Sequence, residues 1–163
     1  MKFPFFDDPV SNAFCHYQID TERSLRIEVY EGDVGLQDWR AMFRTMASDP
    51  MWSNARNGLI DLRAANLHLT TNEILRLALM QRQDAFYTNG WLVYVVSSSA
   101  EYGMVRMLGK WSRTTEQSRI FLSLREAKNW LEDHGLANPP LSIQARFPKW
   151  QPKPAVAPLR KIG

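Results

Sequence analysis

Asp61 and Arg63, in the segment "GLIDLR", are the first residues whose types and spacing suggest chemistry. They are two positions apart, so in an extended strand both side chains point to the same face. A carboxylate and a guanidinium in this arrangement form either a structural ion pair or a charged contact for a polar ligand. The pattern alone is consistent with both roles.

Tyr102 and Arg106, in "YGMVR", are the second such pair. They are one helical turn apart, so a helix places their side chains next to each other. Together they would present a hydroxyl and a guanidinium to a partner, or brace the helix against a loop.

A hydroxyl residue followed three positions later by glutamate is the capping-box pattern, which marks the start of a helix. It occurs at Thr70–Glu73, Ser98–Glu101 and Ser123–Glu126. Each copy follows an apolar run typical of a strand, so three helices are predicted to begin at strand ends. The glutamates would occupy the amides that bind phosphate in many α/β proteins, and no glycine-rich phosphate loop is present. The sequence therefore argues against a nucleotide cofactor.

The remaining nucleophiles and metal ligands are scattered. Cys15 is the only cysteine, which excludes an intramolecular disulfide and a multi-cysteine zinc site. It is followed by His16, and neighbours on a strand face opposite ways. His68 and His134 are isolated, so we expect no catalytic residues, metal or cofactor. A small enzyme whose site is assembled from separate loops is the alternative, and His68 or Cys15 beside a carboxylate in a deep pocket would indicate it.

The elements that position these residues begin with two strands in "YQIDTERSLRIEVYEG", joined by a turn at 21–24. The second strand alternates apolar residues with Arg26, Glu28 and Tyr30, which predicts one wetter face. A helix follows from Leu36 and ends before Pro50.

The later elements are predicted as strand "GLIDL", a helix from Glu73 to about Phe86 ended by Asn89-Gly90, buried strand "WLVYVV", helix "AEYGMVRMLGKW", strand "RIFL" and helix "LREAKNWLEDHG". The order β-β-α-β-α-β-α-β-α predicts an α/β mixed sheet of about five strands with about four helices. A leading antiparallel pair is followed by βα units. Right-handed crossovers would make the later strands parallel, with their carboxyl ends on a common rim.

The composition indicates one globular domain of 163 residues, with a net charge of +3. We divide the chain into an N-terminal extension (1–14), an α/β domain (15–137) and a proline-rich arm (138–163). The arm has five basic residues and no acidic one, which leaves the rest of the chain at −2.

This charge distribution argues against nucleic acid as a partner of the domain, because the body offers no general anion-attracting surface. The arm, with Phe147 and Trp150, is an alternative binder of acidic lipid or another anionic surface through residues 146–161. No apolar run is long enough to span a membrane and no secretory signal is evident, so a cytoplasmic protein is expected.

Several segments between residues 15 and 135 resemble the STAS-like superfamily, and more narrowly the bacterial SpoIIAA-like proteins related to anti-anti-sigma factors. These segments are "LIDLR", "YGMVRM" and "RIFLSLREAKNWL". The resemblance implies a mixed sheet covered by helices and a non-enzymatic role in regulation, lipid binding or small-molecule binding. The phosphorylated serine of the anti-anti-sigma factors would correspond to Thr70 or Thr71. The family's Ser-Gly pair is absent here and Glu73 follows, which argues against a phosphorylation switch at these threonines.

Together these observations predict a non-catalytic, regulatory module that binds a protein or small ligand at the loops beyond the strand carboxyl ends. A second copy of the chain is a further candidate partner. The predicted lining is Asp61, Arg63, Thr71, Ser98, Tyr102 and Arg106.

Overall fold

The computed structural model describes residues 12–52, 57–83 and 90–136. The proposed N-terminal extension (1–14) lies outside the described residues up to residue 11, and its predicted end is one residue too late because Phe14 already belongs to the first strand. The whole proposed arm, with Phe147 and Trp150, and the helix terminator Asn89 also lie outside the described residues.

Five strands and four α-helices occupy the described residues, in the predicted order. They are β1 (Phe14–Asp20), β2 (Leu25–Val34), α1 (Leu36–Ala47), β3 (Asn57–Leu67), α2 (Thr71–Gln81), β4 (Leu92–Val95), α3 (Ser99–Ser112), β5 (Ser118–Phe121) and α4 (Leu124–Asp133). No helix in this part of the chain has the length and apolar character needed to cross a membrane.

The sheet follows chain order from β1 to β5. β1 and β2 are antiparallel, whereas β2–β3, β3–β4 and β4–β5 are parallel. The predicted α/β architecture, with its leading antiparallel pair and parallel βα units, is confirmed.

The helices divide unequally between the two faces of the sheet. We call the face covered by α1, α2 and α3 the three-helix face, and the face covered by α4 the single-helix face. Adjacent residues of the buried strand β4 alternate between them: Leu92 and Tyr94 pack on the three-helix side, and Val93 and Val95 on the other. The prediction that this strand is buried on both sides is confirmed.

The prediction of a wetter face on β2 is wrong. Arg26, Glu28 and Tyr30 are only 5%, 1% and 0% exposed, because three helices cover the face to which they point. The Arg26 Nε donates to Glu28 Oε1 at 2.5 Å, and the Tyr30 hydroxyl donates to Glu28 Oε2 at 3.0 Å. A Cβ at Gly58 would lie 3.0 Å from the Arg26 guanidinium, so the glycine gives this buried cation its room.

Two predicted boundaries are also wrong. β3 does not end near Arg63, because β2 continues beside it and pairs residues 31–34 with residues 64–67. α2 does not extend to Phe86. It ends at Gln81, and the next two residues, Arg82 and Gln83, are polar and exposed.

Candidate functional site

The side chains of Asp61 and Arg63 form a close ion pair on β3. The Arg63 Nε donates to Asp61 Oδ1 at 2.9 Å and its Nη2 donates to Oδ2 at 2.8 Å. The Arg63 backbone amide adds a third bond to the same carboxylate, at 3.1 Å. The predicted same-side placement is therefore observed, with two-point geometry that fixes the plane of the guanidinium.

This pair spans from the interior to the surface. The Asp61 side chain is 7% exposed and the Arg63 side chain 42%. The hydrogen bond to Asp61 raises the pKa of Arg63, although partial burial opposes it. Arg63 is consequently a permanent cation at the surface, anchored by a buried carboxylate.

The strand β3 runs past the end of β4 beside this pair. Asp61 is level with Val95, the last residue of β4, whereas β3 continues six residues further. Asp61 lies between Ile60 and Leu62, which face the three-helix side, so its own side chain points to the single-helix face.

His16 is a residue of this region that the sequence interpretation missed. It pairs with Val29, and Val29 pairs with Asp61, so the three residues form one row across the sheet. Two strand spacings put the backbones of His16 and Asp61 roughly 10 Å apart. Burial lowers the pKa of His16, with the Glu31 charge opposing that effect. Only the strand register reveals this neighbourhood, because the two residues are far apart in sequence.

The start of α3 is occupied by its own side chains. Glu101 Oε2 accepts from the Ser97 amide at 3.0 Å, the Ser97 hydroxyl at 2.8 Å and the Ser98 amide at 3.1 Å. The Ser98 hydroxyl in turn accepts from the Glu101 amide at 3.3 Å. This capping box is confirmed, and its carboxylate disfavours an anion at the same helix end.

The Thr70–Glu73 box is also confirmed. The Thr70 amide and hydroxyl both donate to Glu73 Oε2 at 2.8 Å, and these bonds lower the pKa of Glu73. The third predicted box is wrong, because Ser123 makes no side-chain cap bond at the start of α4.

The six predicted site residues do not share one surface. Asp61 and Arg63 belong to the single-helix face, whereas Ser98, Tyr102 and Arg106 belong to α3 on the opposite side of the sheet. Thr71 begins α2 beyond the end of β3, about 20 Å of strand past Asp61. The parallel strands do form a common rim, but the strand alternation and the helix layering distribute the side chains between its two faces.

The alternative of a small enzyme depends on the surroundings of His68 and Cys15. His68 Nε2 lies 3.0 Å from Asp33 Oδ1, and Asn66 Nδ2 contacts both, at 3.0 and 2.9 Å. The cluster is exposed rather than enclosed in a pocket. Burial, with the charges of nearby carboxylates, raises the pKa of the Cys15 thiol to about 12, which disfavours the nucleophilic thiolate.

The structure also bears on metal binding. No cluster of three or more His, Cys, Asp or Glu side chains that could hold a metal ion occurs in the described ranges. The carboxylates at the starts of α2 and α3 are instead engaged by their own helix caps.

No family model matches this chain, and no curated protein matches it. Among solved structures, it is similar to the crystal structure of an uncharacterized protein from the DUF3478 family with a SpoIIAA-like fold, from Shewanella loihica PV-4. The similarity covers 73% of this chain and 93% of that chain, with 14% sequence identity and a TM-score of 0.49.

Proposed function

We propose that this chain is a non-catalytic binding module, and that Arg63 is the anchor for an acidic group of a protein partner. The observation that carries this proposal is the two-point contact of a partly exposed guanidinium with the buried Asp61 carboxylate. Such a contact holds a cation in one orientation at the surface before any partner arrives.

A guanidinium has five N–H donors. Asp61 engages the Nε donor and one Nη2 donor, so the outer edge of the Arg63 group is oriented for a second carboxylate. A side chain that is already ordered loses less conformational entropy on binding than a free arginine. Arginine is also among the residues that contribute most to protein interfaces.

The surroundings support a partner rather than a substrate. His16 lies in the same cross-strand row as Asp61, and its lowered pKa favours the neutral imidazole near pH 7. It would therefore offer contact area and a hydrogen bond without a competing charge. Thr71, Ser98, Tyr102 and Arg106 lie elsewhere, so we assign them no part in the Arg63 anchor.

The test begins with tagged wild-type chain in its native cells, followed by purification of the candidate partner and measurement of its dissociation constant. Truncating a central interface residue often costs 2 kcal/mol or more, so Arg63→Ala should weaken binding by about thirtyfold. Arg63→Lys should fail to restore it, because lysine cannot make the two-point contact. Arg125→Ala, which removes an exposed arginine from α4, is the matched control and should bind normally. Unchanged binding by folded Arg63→Ala would refute this anchor.

A second candidate is a small enzyme that uses the His68–Asp33–Asn66 cluster, and the 3.0 Å contact of imidazole with carboxylate favours it. A histidine oriented by a carboxylate is the arrangement of a general base. A hydrolase substrate panel assayed with the wild type and His68→Ala tests this candidate. Turnover that is lost in the variant would support it, and equal rates would exclude it.

A further inference from the structure

The outer surface of α1, α2 and α3 combines unpaired cations with exposed leucines. We call this surface the basic helical face and define it by Arg44 on α1, Leu75, Arg76 and Leu79 on α2, and Arg106 and Lys110 on α3. All six side chains are exposed. None of the four cations forms an ion pair with another described residue.

The carboxylates of these helices lie at their starts, where the exposed Glu73 also interacts electrostatically with Arg76. Asp38, Glu73 and Glu101 each occupy the third helical position, where they accept bonds from backbone amides. Each helix therefore uses its acid at one end and leaves its cations further along. A basic surface of this kind is compatible with a body of net charge −2, because a net charge averages over faces that the fold separates.

The single-helix side has a mixed charge. Its helix α4 carries three acidic and two basic residues, and Arg63 and Arg119 add exposed cations from the sheet on the same side. The three-helix layer differs because its helix carboxylates lie at the helix starts, which leaves cations along its outer surface. A surface of one charge sign attracts an extended surface of the opposite sign.

The two leucines help to identify that surface. Leu75 and Leu79 are one helical turn apart on α2, and they are 39% and 50% exposed. Leucines beside arginines match the interface of a bilayer, where apolar side chains enter the acyl boundary and cations meet lipid phosphates. A nucleic acid backbone would use the cations and gain nothing from the leucines.

The spread of the cations fits a broad partner. Neighbouring packed helices lie about 8–10 Å apart, so charges on three of them extend over roughly 20 Å. A single bound helix would fill one groove and leave cations on the third helix unused. We infer that the basic helical face docks on an anionic phospholipid bilayer.

The experiment uses the full chain and vesicles of phosphatidylcholine with or without phosphatidylserine, at low and high salt. Binding should require phosphatidylserine and weaken with salt, because surface charges are screened. Each cation near a charged bilayer is worth about a fivefold change in partitioning, so Arg76→Ala/Arg106→Ala/Lys110→Ala should lose about a hundredfold. Leu79→Ser should lose about tenfold, because it removes an apolar side chain from the boundary.

Matched controls locate the contact. Arg125→Ala on α4 should bind as the wild type does, and circular dichroism should show that every variant is folded. A variant with Arg146, Lys149 and Lys153 replaced by alanine tests the C-terminal arm. The inference is overturned if only this arm variant loses binding, or if the wild type ignores acidic vesicles at low salt. Capture of duplex DNA without capture of vesicles would also overturn it. Arg63→Ala should bind vesicles normally, which separates this test from that of the proposed function.

Discussion

The cores on the two faces of the sheet are built from different types of residue. On the single-helix face the core consists of aliphatic side chains, among them Leu59, Val93 and Leu131. On the three-helix face an arginine and a glutamate are buried within an aromatic and aliphatic core. On the first face the buried Asp61 carboxylate pairs with the partly exposed Arg63, whereas on the second face both members of the charge pair are buried and cannot be removed singly.

The largest expected effect comes from breaking that pair. Glu28→Ala leaves the Arg26 cation buried without its carboxylate and should lower the free energy of unfolding by about 3–5 kcal/mol. Urea unfolding monitored by tryptophan fluorescence measures this change. Glu31→Ala, on the exposed part of the same strand, should stay within about 0.5 kcal/mol of the wild type.

The double variant Arg26→Met/Glu28→Leu sharpens the comparison. It replaces both charges with apolar side chains of similar size and should recover most of the loss. If the double variant is as unstable as Glu28→Ala, the pair contributes more than charge compensation and the contrast between the two faces is wrong.

The next largest effect concerns the reactivity of the Cys15 thiol. Its side chain packs on the three-helix face. Since burial raises its pKa from 9.0 to about 12, the thiolate fraction at pH 8 should be about a thousandfold below that of a free thiol. Iodoacetamide should therefore label the folded chain very slowly, and the denatured chain at the ordinary rate. Fast labelling of the folded chain at pH 8 would show that the thiol is not held in the core.

The raised pKa of Cys15 also determines how the stability of the fold changes with pH. The unfolded thiol ionises near pH 9, while the folded thiol keeps its proton until about pH 12. The contribution of Cys15 is thus fully present below pH 9 and is lost as the pH rises towards 12. Tyr17 and Tyr94, whose pKa values are raised from 10.0 to about 12, act in the same direction from pH 10 upwards.

The smallest expected effect compares two helix starts on opposite faces. Ser98→Ala removes an observed cap bond from α3 and should cost about 1 kcal/mol. Ser123→Ala changes the same residue type at the same pattern position of α4, where no cap bond exists, and should change stability by only a few tenths. Equal losses in thermal unfolding would mean that the cap bond does not account for the difference.

Helix starts show which features of the fold the local sequence can predict. The capping pattern predicted α2 and α3 correctly, because both partners of the bond lie within one turn of the chain. It also predicted the start of α4 after Ser123, although the cap bond itself is absent there. The end of β3 was harder to predict, because its pairing with β2 decides it.

The contacts of the candidate site are also of two kinds, a local one that the sequence predicts and long-range ones that it does not. The Asp61–Arg63 contact follows from the two-residue period of a strand and was predictable. The nearness of His16 depends on the pairing of three strands, and the separation of Tyr102 from Asp61 depends on which face α3 covers. These relations join distant parts of the chain, so no local spacing encodes them.

By itself, the sequence determined the order of strands and helices, the starts of α2 and α3 and the ion pair on β3, because each depends on residues a few positions apart. Tertiary structure alone decided that Arg26 and Glu28 are buried and that α1, α2 and α3 cover the same face of the sheet. The period of a strand marks two faces without showing how each is covered, and a helix does not determine its neighbours. Which helices cover each face of the sheet, and which helices lie side by side, is decided only when the whole chain packs around the sheet.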